Sequence, residues 1–203
     1  MKVLVVGSGG REHAVVKKLA ENPEIERIYC APGNGGISVQ ATPVDIKAID
    51  AEGMVAFAKK EGIDFAVVTP DDPLVLGMAD AMEEAGIPAF GPSKKAAQIE
   101  GSKVFAKNLM KKYGIPTAKY KVFDDPGKVV EYIERENCFP AVIKADGLAL
   151  GKGVVIAKNL EEAKEAVHSI MEDKIFGKSG NQVVVEEFLT GKEVSVLAFT
   201  DSH

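Results

Sequence analysis

The stretch that decides the fold of the second half of the chain reads "FPAVIKADGLALGKGVVIAK", residues 139–158. Two apolar runs, "FPAVIKA" and "VVIAK", flank a segment with glycines at 147, 151 and 153. Short runs rich in Val and Ile predict strands, and no helical pattern follows the glycines. The stretch therefore predicts a β-hairpin whose connection, residues 145–153, is longer than a tight turn needs. We call this connection the glycine loop.

The glycine loop is not a Walker phosphate-binding loop. The Walker pattern G-x-x-x-x-G-K-[ST] has one more residue between its glycines than the chain has between Gly147 and Gly151. Gly153 also stands where the Walker hydroxyl residue should follow the lysine. A glycine-rich hairpin can still close over phosphates, because its bare main chain offers N–H donors at short range. The alternative is a merely flexible turn.

Three lysines lie where they can serve the same phosphates. Lys144 ends the strand that enters the glycine loop, and Lys152 lies within that loop. Lys103 opens a predicted helix, where the helix dipole disfavours a cation by a few tenths to about 1 kcal/mol. A lysine at that position is explained if it faces an anion. Each lysine alone is typical of a solvated surface, but together with the loop they predict a triphosphate clamp.

The last strand signal carries two adjacent carboxylates. "VVVEEFLTGKE", residues 183–193, leaves a buried run through Glu186 and Glu187 and turns at Gly191. Such a segment can offer main-chain groups to an adenine edge and a carboxylate to ribose hydroxyls. A strand end with exposed acids is an equally good interpretation. A final strand is predicted over residues 193–200.

The first ninety residues show another pattern, in which short apolar runs alternate with amphipathic segments. Strands are predicted at 2–6, 27–31, 64–69 and 87–90, with helices after the first strand, near 50–61 and over 73–85. This alternation predicts right-handed crossovers and an open parallel sheet. After Gly101 the pattern changes to hairpins and helices. We therefore predict an α/β domain over residues 1–101 and an α+β domain over residues 102–203.

A first glycine cluster, "GSGGREH" at residues 7–13, follows the first strand and opens the first helix. Free N–H groups and the dipole at a helix start favour an anion. Gly7 and Gly9 fit the dinucleotide fingerprint, but Glu12 stands at its third glycine, and the acid expected after the second strand is missing. A small phosphate monoester with Arg11 as donor fits better than a nicotinamide dinucleotide. A tight turn with a solvated arginine is also consistent.

The loop after the third strand, "TPDDPLVLG", leaves the same predicted sheet edge. Asp71 is the candidate for a substrate contact there. Asp72, placed before Pro73, is predicted to cap a helix instead.

Composition excludes several classes of partner. A net charge of −5 and a pI near 5.4 argue against nucleic acid and anionic membranes. No stretch of eighteen apolar residues is present. Cys30 and Cys138 match no metal or redox spacing, which is typical of reduced thiols in a cytoplasmic protein. The oligomeric state is left open.

Taken together, these residues resemble the ATP-grasp ligases, and within them the glycinamide ribonucleotide synthetases (phosphoribosylamine–glycine ligases). The matching stretches are "VLVVGSGGREHA", "APGNGG", "FGPSKKAAQIEGSKVFAK", "YGIPTA", "VIKADGLALGKGV" and "VVVEEFLTGKEVS". The resemblance implies an open parallel-sheet pre-ATP-grasp (Rossmann-like) domain over 1–101 and an incomplete α+β ATP-grasp domain over 102–203. The implied reaction uses ATP to join glycine to 5-phosphoribosylamine through glycyl phosphate, in de novo purine biosynthesis.

The resemblance also implies residue roles. Lys103 and Lys144 would be catalytic and would hold the ATP phosphates. The other residues implied for the ATP site are Gly147, Gly151, Lys152, Gly153, Glu186, Glu187, Leu189 and Glu193. Gly9, Gly10 and Arg11, together with Asp71, would contact phosphoribosylamine. No metal ligand is expected among these residues, and the Mg²⁺ ligands are expected in a C-terminal half that lies beyond residue 203.

Two departures from the family pattern affect these expectations. The family usually has G-P-E where this chain has Thr69, Pro70 and Asp71, so a carboxylate shorter than the family's stands at that substrate contact. The chain also has about half the family length. We expect a fragment that is inactive alone and exposes apolar surface where the other half would pack. Another ATP-grasp carboxylate–amine ligase, or a nucleotide-binding module without catalysis, is the alternative.

Overall fold

The computed structural model describes residues 1–149 and 152–198, and the chain divides into two compact units, Met1–Leu109 and Met110–His203. The domain boundary that the sequence predicts after residue 101 remains a prediction. In the described part of the chain, none of the helices has both the length and the apolar character that crossing a bilayer requires.

The first unit contains a parallel sheet. Its strands are β1 (Lys2–Gly7), β2 (Arg27–Pro32), β3 (Thr42–Pro43), β4 (Phe65–Val68) and β5 (Ala89–Phe90). They lie in the order β3-β2-β1-β4-β5. The central strand β1 pairs in register with both neighbours, so that Val3 lies opposite Ile28 and Phe65. This confirms the predicted open parallel sheet; the two-residue strand β3, which contains a proline and no apolar run, was not predicted.

Helices follow most of these strands. They are α1 (Gly10–Leu19), α2 (Ala51–Glu61), α3 (Asp71–Leu76), α4 (Met78–Glu84), α5 (Lys94–Gly101) and α6 (Lys103–Tyr113). The single helix predicted over 73–85 is wrong, because Gly77 adopts φ +97° and separates α3 from α4. The predicted capping by Asp72 is also wrong: α3 begins at Asp71, two residues before the predicted start at Pro73, with Pro70 at the cap position.

Two apolar layers cover the parallel sheet. Leu4 and Val6 face a core that includes Met54 of α2 and Met82 of α4. Alternate residues of the same strand, such as Val5, face a second core that includes Val16 of α1. Coverage on both faces explains why β1 is apolar almost throughout. Since the strands are parallel, the loops that follow β1, β2 and β4 leave one edge of the sheet.

The second unit contains an antiparallel sheet with helices on one face. Its elements are β6 (Tyr120–Phe123), α7 (Pro126–Glu136), β7 (Ala141–Ala145), β8 (Val154–Ala157), α8 (Leu160–Val167) and β9 (Val183–Glu187). The strand order is β6-β9-β7-β8. Ile143 and Val185 share a core with Val129 of α7 and Ala163 of α8. The hairpin predicted from residues 139–158 is thus confirmed as β7 and β8.

The strand predicted over 193–200 is not found. Residues 193–198 carry no strand, and residues 199–203 lie outside the described residues. The apolar side chains Val194, Val196 and Leu197 are 78–90% exposed. An alternating sequence forms a strand only when another strand accepts its hydrogen bonds, and within the described residues β9 is the last strand.

Candidate functional site

The glycine loop folds back on itself between β7 and β8. The Ala145 N–H donates to the Gly153 carbonyl and the Lys152 N–H donates to the Ala149 carbonyl, each at 2.8 Å. A Cβ at Gly153 would lie 2.5 Å from the Cβ of Ala149, so only glycine allows this approach. Gly147 has φ +91°, which also favours glycine. Of the predicted loop residues, Gly151 lies outside the described residues.

A buried ion pair stands at the entrance to the glycine loop. Lys144 Nζ lies 3.0 Å from Glu186 Oε2, and the side chains are 27% and 5% exposed. Lys144 lies on β7 and Glu186 on β9, on the sheet face opposite Ile143 and its covering helices. A carboxylate this deeply buried needs a cationic partner, and it in turn fixes where the ammonium group sits. The pair therefore presents a positioned cation beside the loop.

Glu187 has a different environment from its neighbour Glu186. Alternation along β9 turns its side chain to the opposite face, where Oε1 accepts a 2.8 Å hydrogen bond from the Lys119 N–H. The Glu187 N–H donates to the Lys119 carbonyl at 3.0 Å. This carboxylate therefore holds the end of β9 to the segment before β6. The period of two along the strand was the sequence signal that could have separated the two acids.

The remaining residues predicted for a nucleotide lie at element ends. Lys103 is the first residue of α6 and is half-buried, directly after Ser102, whose Oγ accepts from the Phe105 N–H at 3.0 Å. Lys152 is exposed. Leu189, which is 65% exposed, and Glu193 follow the end of β9. The second unit thus brings Lys144 and the glycine loop together, while Lys103 belongs to the first unit.

At the sheet edge of the first unit, Glu12 connects two loops. Its Oε2 accepts from the Gly9 N–H and its Oε1 from the Thr69 hydroxyl, both at 2.7 Å. The Glu12 side chain is buried at 5% exposure. A Cβ at Gly7, where φ is +128°, would lie 2.6 Å from Glu12 Cγ. Glu12 therefore fills the space that a third fingerprint glycine would leave open, which sequence reasoning did not anticipate.

The loop after β2 is tied to the same edge. Asn34 Nδ2 donates to the Ser8 carbonyl at 2.7 Å, and the Gly33 N–H donates to the Gly7 carbonyl at 3.0 Å. The Cys30 thiol donates to that same carbonyl at 3.3 Å. Burial, and secondarily the negative charge of Glu12, raises the pKa of Cys30 to about 11. The loops after β1, β2 and β4 are thus held together by side-chain hydrogen bonds.

The predicted substrate residues lie on this edge. Gly9 caps α1, and its N–H donates to Glu12. At Gly10 a Cβ would meet nothing within 4 Å, and Arg11 is exposed. First-turn N–H groups have no partner within a helix, so Gly10 and Arg11 can donate to an anion. Asp71 begins α3 and is half-buried.

Comparison with known proteins identifies both units. Residues 1–100 match the family model described as "Phosphoribosylglycinamide synthetase, N domain", and residues 101–203 match "Phosphoribosylglycinamide synthetase, ATP-grasp (A) domain". A phosphoribosylamine–glycine ligase of Caldanaerobacter subterraneus subsp. tengcongensis is 52% identical over 203 residues. That match covers 100% of this chain and 48% of the relative, so the chain spans about half the length of the relatives it matches.

Solved structures share the fold of this chain. The crystal structure of phosphoribosylamine–glycine ligase from Thermotoga maritima has a TM-score of 0.77 and 34% identity, covering 95% of this chain and 45% of that one. The biotin carboxylase domain of Hydrogenobacter thermophilus 2-oxoglutarate carboxylase, solved with MgADP, ADP and bicarbonate, has a TM-score of 0.75. At 20% identity, covering 93% of this chain and 44% of that one, it shows the shared fold alone.

Proposed function

We propose that this chain, which belongs to the phosphoribosylglycinamide synthetase family, forms the N-terminal part of a ligase that uses ATP to join glycine to 5-phosphoribosylamine. The single observation that carries the proposal is the order of the two family matches, which together span residues 1–203. The product is glycinamide ribonucleotide, and the reaction belongs to cytoplasmic de novo purine biosynthesis.

The proposed chemistry has two steps. A glycine carboxylate is a poor electrophile, so one of its oxygens first attacks the γ-phosphorus of ATP, giving glycyl phosphate as ADP leaves. The ribosylamine nitrogen then attacks the carbonyl carbon, the C–O bond to phosphate breaks, and the nitrogen loses a proton as the amide forms. Charge builds up on the transferring phosphoryl group, and fixed cations near that group lower the barrier.

The second unit would supply most of the ATP-binding groups. Lys144, held by Glu186, places its ammonium at the phosphate side of the site. The glycine loop closes over the phosphates and keeps water from the acyl phosphate. Main-chain groups near Glu187 and Leu189 bind the adenine edge, and Glu193 binds the ribose. Lys103 adds a second cation for the phosphates.

The first unit would bind phosphoribosylamine. The start of α1 offers the N–H groups of Gly10 and Arg11 and the guanidinium of Arg11 to the 5-phosphate. Asp71, at the start of α3, contacts the sugar or its amine. Since Glu12 already takes the Gly9 N–H, the site suits a single phosphate better than a pyrophosphate.

Magnesium is part of the proposed reaction, and we assign it no ligand among the described residues. Among residues 1–149 and 152–198, no three His, Cys, Asp or Glu side chains gather as metal ligands would. We therefore assign no step to the metal through these residues. Its ligands are proposed to lie in the part of the relatives that the chain does not cover.

The proposal is tested with a chimera that joins this chain to the remaining C-terminal portion of the relative that is 52% identical. We expect the chimera to release phosphate from ATP only when glycine and phosphoribosylamine are both present, and the 203-residue chain alone to release none. Release that depends on a different carboxylate would favour another ATP-grasp ligase. ATP binding without turnover in the chimera would favour a non-catalytic nucleotide-binding module.

A further inference from the structure

Glu12 lies in the first turn of α1, next to the proposed substrate residues Gly10 and Arg11, but its own side chain is buried. Its side chain is 5% exposed, and both carboxylate oxygens are engaged. One oxygen binds the Gly9 N–H of the loop after β1, and the other binds the Thr69 hydroxyl of the loop after β4. We call this arrangement, Gly9–Glu12–Thr69, the Glu12 bridge.

We propose that Glu12, through the Glu12 bridge, is a positioning residue for phosphoribosylamine binding; this rests on the proposed function. The bridge sets the distance between the start of α1, with Gly10 and Arg11, and the start of α3, with Asp71. In the proposed function, Gly10 and Arg11 bind the phosphate of the substrate and the Asp71 side chain contacts its sugar or amine. Since the substrate spans both loops, its affinity depends on their separation being fixed before it binds.

The residues around the Glu12 bridge leave the Glu12 side chain few other conformations. Gly7 leaves room for the Glu12 side chain, since a Cβ there would lie 2.6 Å from Glu12 Cγ and 2.9 Å from Pro70 Cγ. A helix N-terminus also stabilises a carboxylate that accepts its N–H groups. Hydrogen bonds to a charged acceptor are about twice as strong as neutral ones. The bridge is therefore a stiff connection between the two loops.

Thr69 is a better position than Glu12 for testing the bridge. It is only half-buried, so a substitution disturbs the fold less, and two substitutions of similar size differ in whether they keep the hydroxyl. Thr69→Val keeps the shape of the side chain and removes the hydroxyl, whereas Thr69→Ser keeps the hydroxyl. Ribose 5-phosphate is the probe for the substrate side, and a non-hydrolysable ATP analogue is the probe for the second unit. Calorimetry gives both dissociation constants for the full chain.

We expect Thr69→Val to weaken ribose 5-phosphate binding by about tenfold, the size of one lost charge-assisted hydrogen bond. Thr69→Ser should bind within about twofold of the parent, and neither variant should change the affinity for the ATP analogue. A merely structural role would lower the melting temperature without this selective loss. Equal ribose 5-phosphate affinity in the Val and Ser variants would overturn the proposal.

Amide hydrogen exchange keeps the inference testable without ligand. In Thr69→Val, exchange at the Gly9 amide should speed up relative to Thr69→Ser, because Glu12 loses the group that orients it. Unchanged exchange would show that the bridge does not couple the loops. If the parent chain itself fails to bind ribose 5-phosphate, the substrate side of the proposed function fails, and the exchange result alone decides whether the bridge is real.

Discussion

The two glycine clusters look alike in sequence but use their glycines differently. In the cluster at residues 7–10, Gly7 makes room for a buried side chain, and the loop is tied to two others by Glu12 and Asn34. In the glycine loop, Gly153 makes room for the methyl group of Ala149 in the same loop, and the loop is held by backbone hydrogen bonds. The first cluster is thus tied into the fold of its unit by side chains, whereas the second makes its contacts within the connection between β7 and β8.

The largest effect should follow from filling the space at Gly7. Gly7→Ala places a Cβ 2.6 Å from Glu12 Cγ at φ +128°, so strain and overpacking add. We expect a loss of about 4 kcal/mol in the free energy of unfolding of the first unit. Because the chain has no tryptophan, urea unfolding is followed by circular dichroism.

Gly10→Ala is the matched control within the same cluster. Gly10 opens α1, and a Cβ there meets nothing within 4 Å. The free energy of unfolding should change by less than about 0.5 kcal/mol. If both substitutions cost the same, the first cluster is no more constrained than an ordinary turn, and the contrast with the glycine loop is lost.

The next largest loss of stability should follow from removing the lysine of the Lys144–Glu186 ion pair at the entrance to the glycine loop. Lys144→Met leaves the Glu186 carboxylate at 5% exposure without the ammonium 3.0 Å away. We expect a loss of about 2 kcal/mol in the second unit, smaller than for a fully buried pair because Lys144 is partly exposed. Urea unfolding measures it.

Two controls sharpen the ion-pair prediction. Lys164→Met removes a lysine 3.8 Å from Glu161, where both side chains are exposed, and should cost less than about 0.5 kcal/mol. The double variant Lys144→Met/Glu186→Leu should recover most of the lost stability, since neither charge of this pair remains. If the double variant is as unstable as Lys144→Met, the lost stability comes from packing and not from the unpaired charge.

Substitution of Gly153 should lower stability less than Lys144→Met does, but it should also weaken ligand binding. Gly153→Ala should cost about 1 kcal/mol, since the glycine loop can shift away from the 2.5 Å approach to Ala149. That shift should weaken binding of the ATP analogue by about tenfold. The double variant Gly153→Ala/Ala149→Gly removes the clash and should restore affinity. Failure of this rescue in calorimetry would rule out loop displacement as the cause.

The last comparison concerns the two thiols. With Ellman's reagent at pH 8, Cys138, which is exposed, should react in the native chain, and Cys30 only after unfolding. Burial raises the pKa of Cys30 from about 9 to about 11, so the folded chain keeps this proton over a range where the unfolded chain releases it. Stability should therefore fall as pH rises from about 9 to about 11, and less so in Cys30→Ala. Two thiols reacting in the native chain would show that the first cluster opens readily.

Much of the fold could be predicted from the chain alone, and the failures have specific causes. The apolar runs of β1 and β4 and the hairpin of β7 and β8 were predicted because each carries a strong local pattern. The helix predicted over 73–85 was wrong because an interior glycine is tolerated in a helix, and only the observed φ of Gly77 shows the break. The predicted strand over 193–200 is absent from its described part, residues 193–198, because strand formation needs a partner, which a local pattern does not contain.

The candidate site shows the same division. Lys144 and the glycine loop could be chosen from residue types and order, because phosphate recognition needs cations and bare backbone. The contrast between Glu186 and Glu187 follows from strand alternation once β9 is known. The Glu12 bridge had no sequence signal, because Glu12 and Thr69 lie 57 residues apart and meet only through the pairing of β1 with β4.

The amino-acid sequence by itself determined most of the segments that become strands and helices, where the glycines fall, and which family the chain resembles, because these depend on local pattern and on the order of motifs. Only the tertiary structure decided which carboxylate pairs with Lys144 and which side chain occupies the space beside Gly7. Those outcomes depend on contacts between residues far apart in the chain, and such contacts exist only after the sheets have formed and buried their apolar faces.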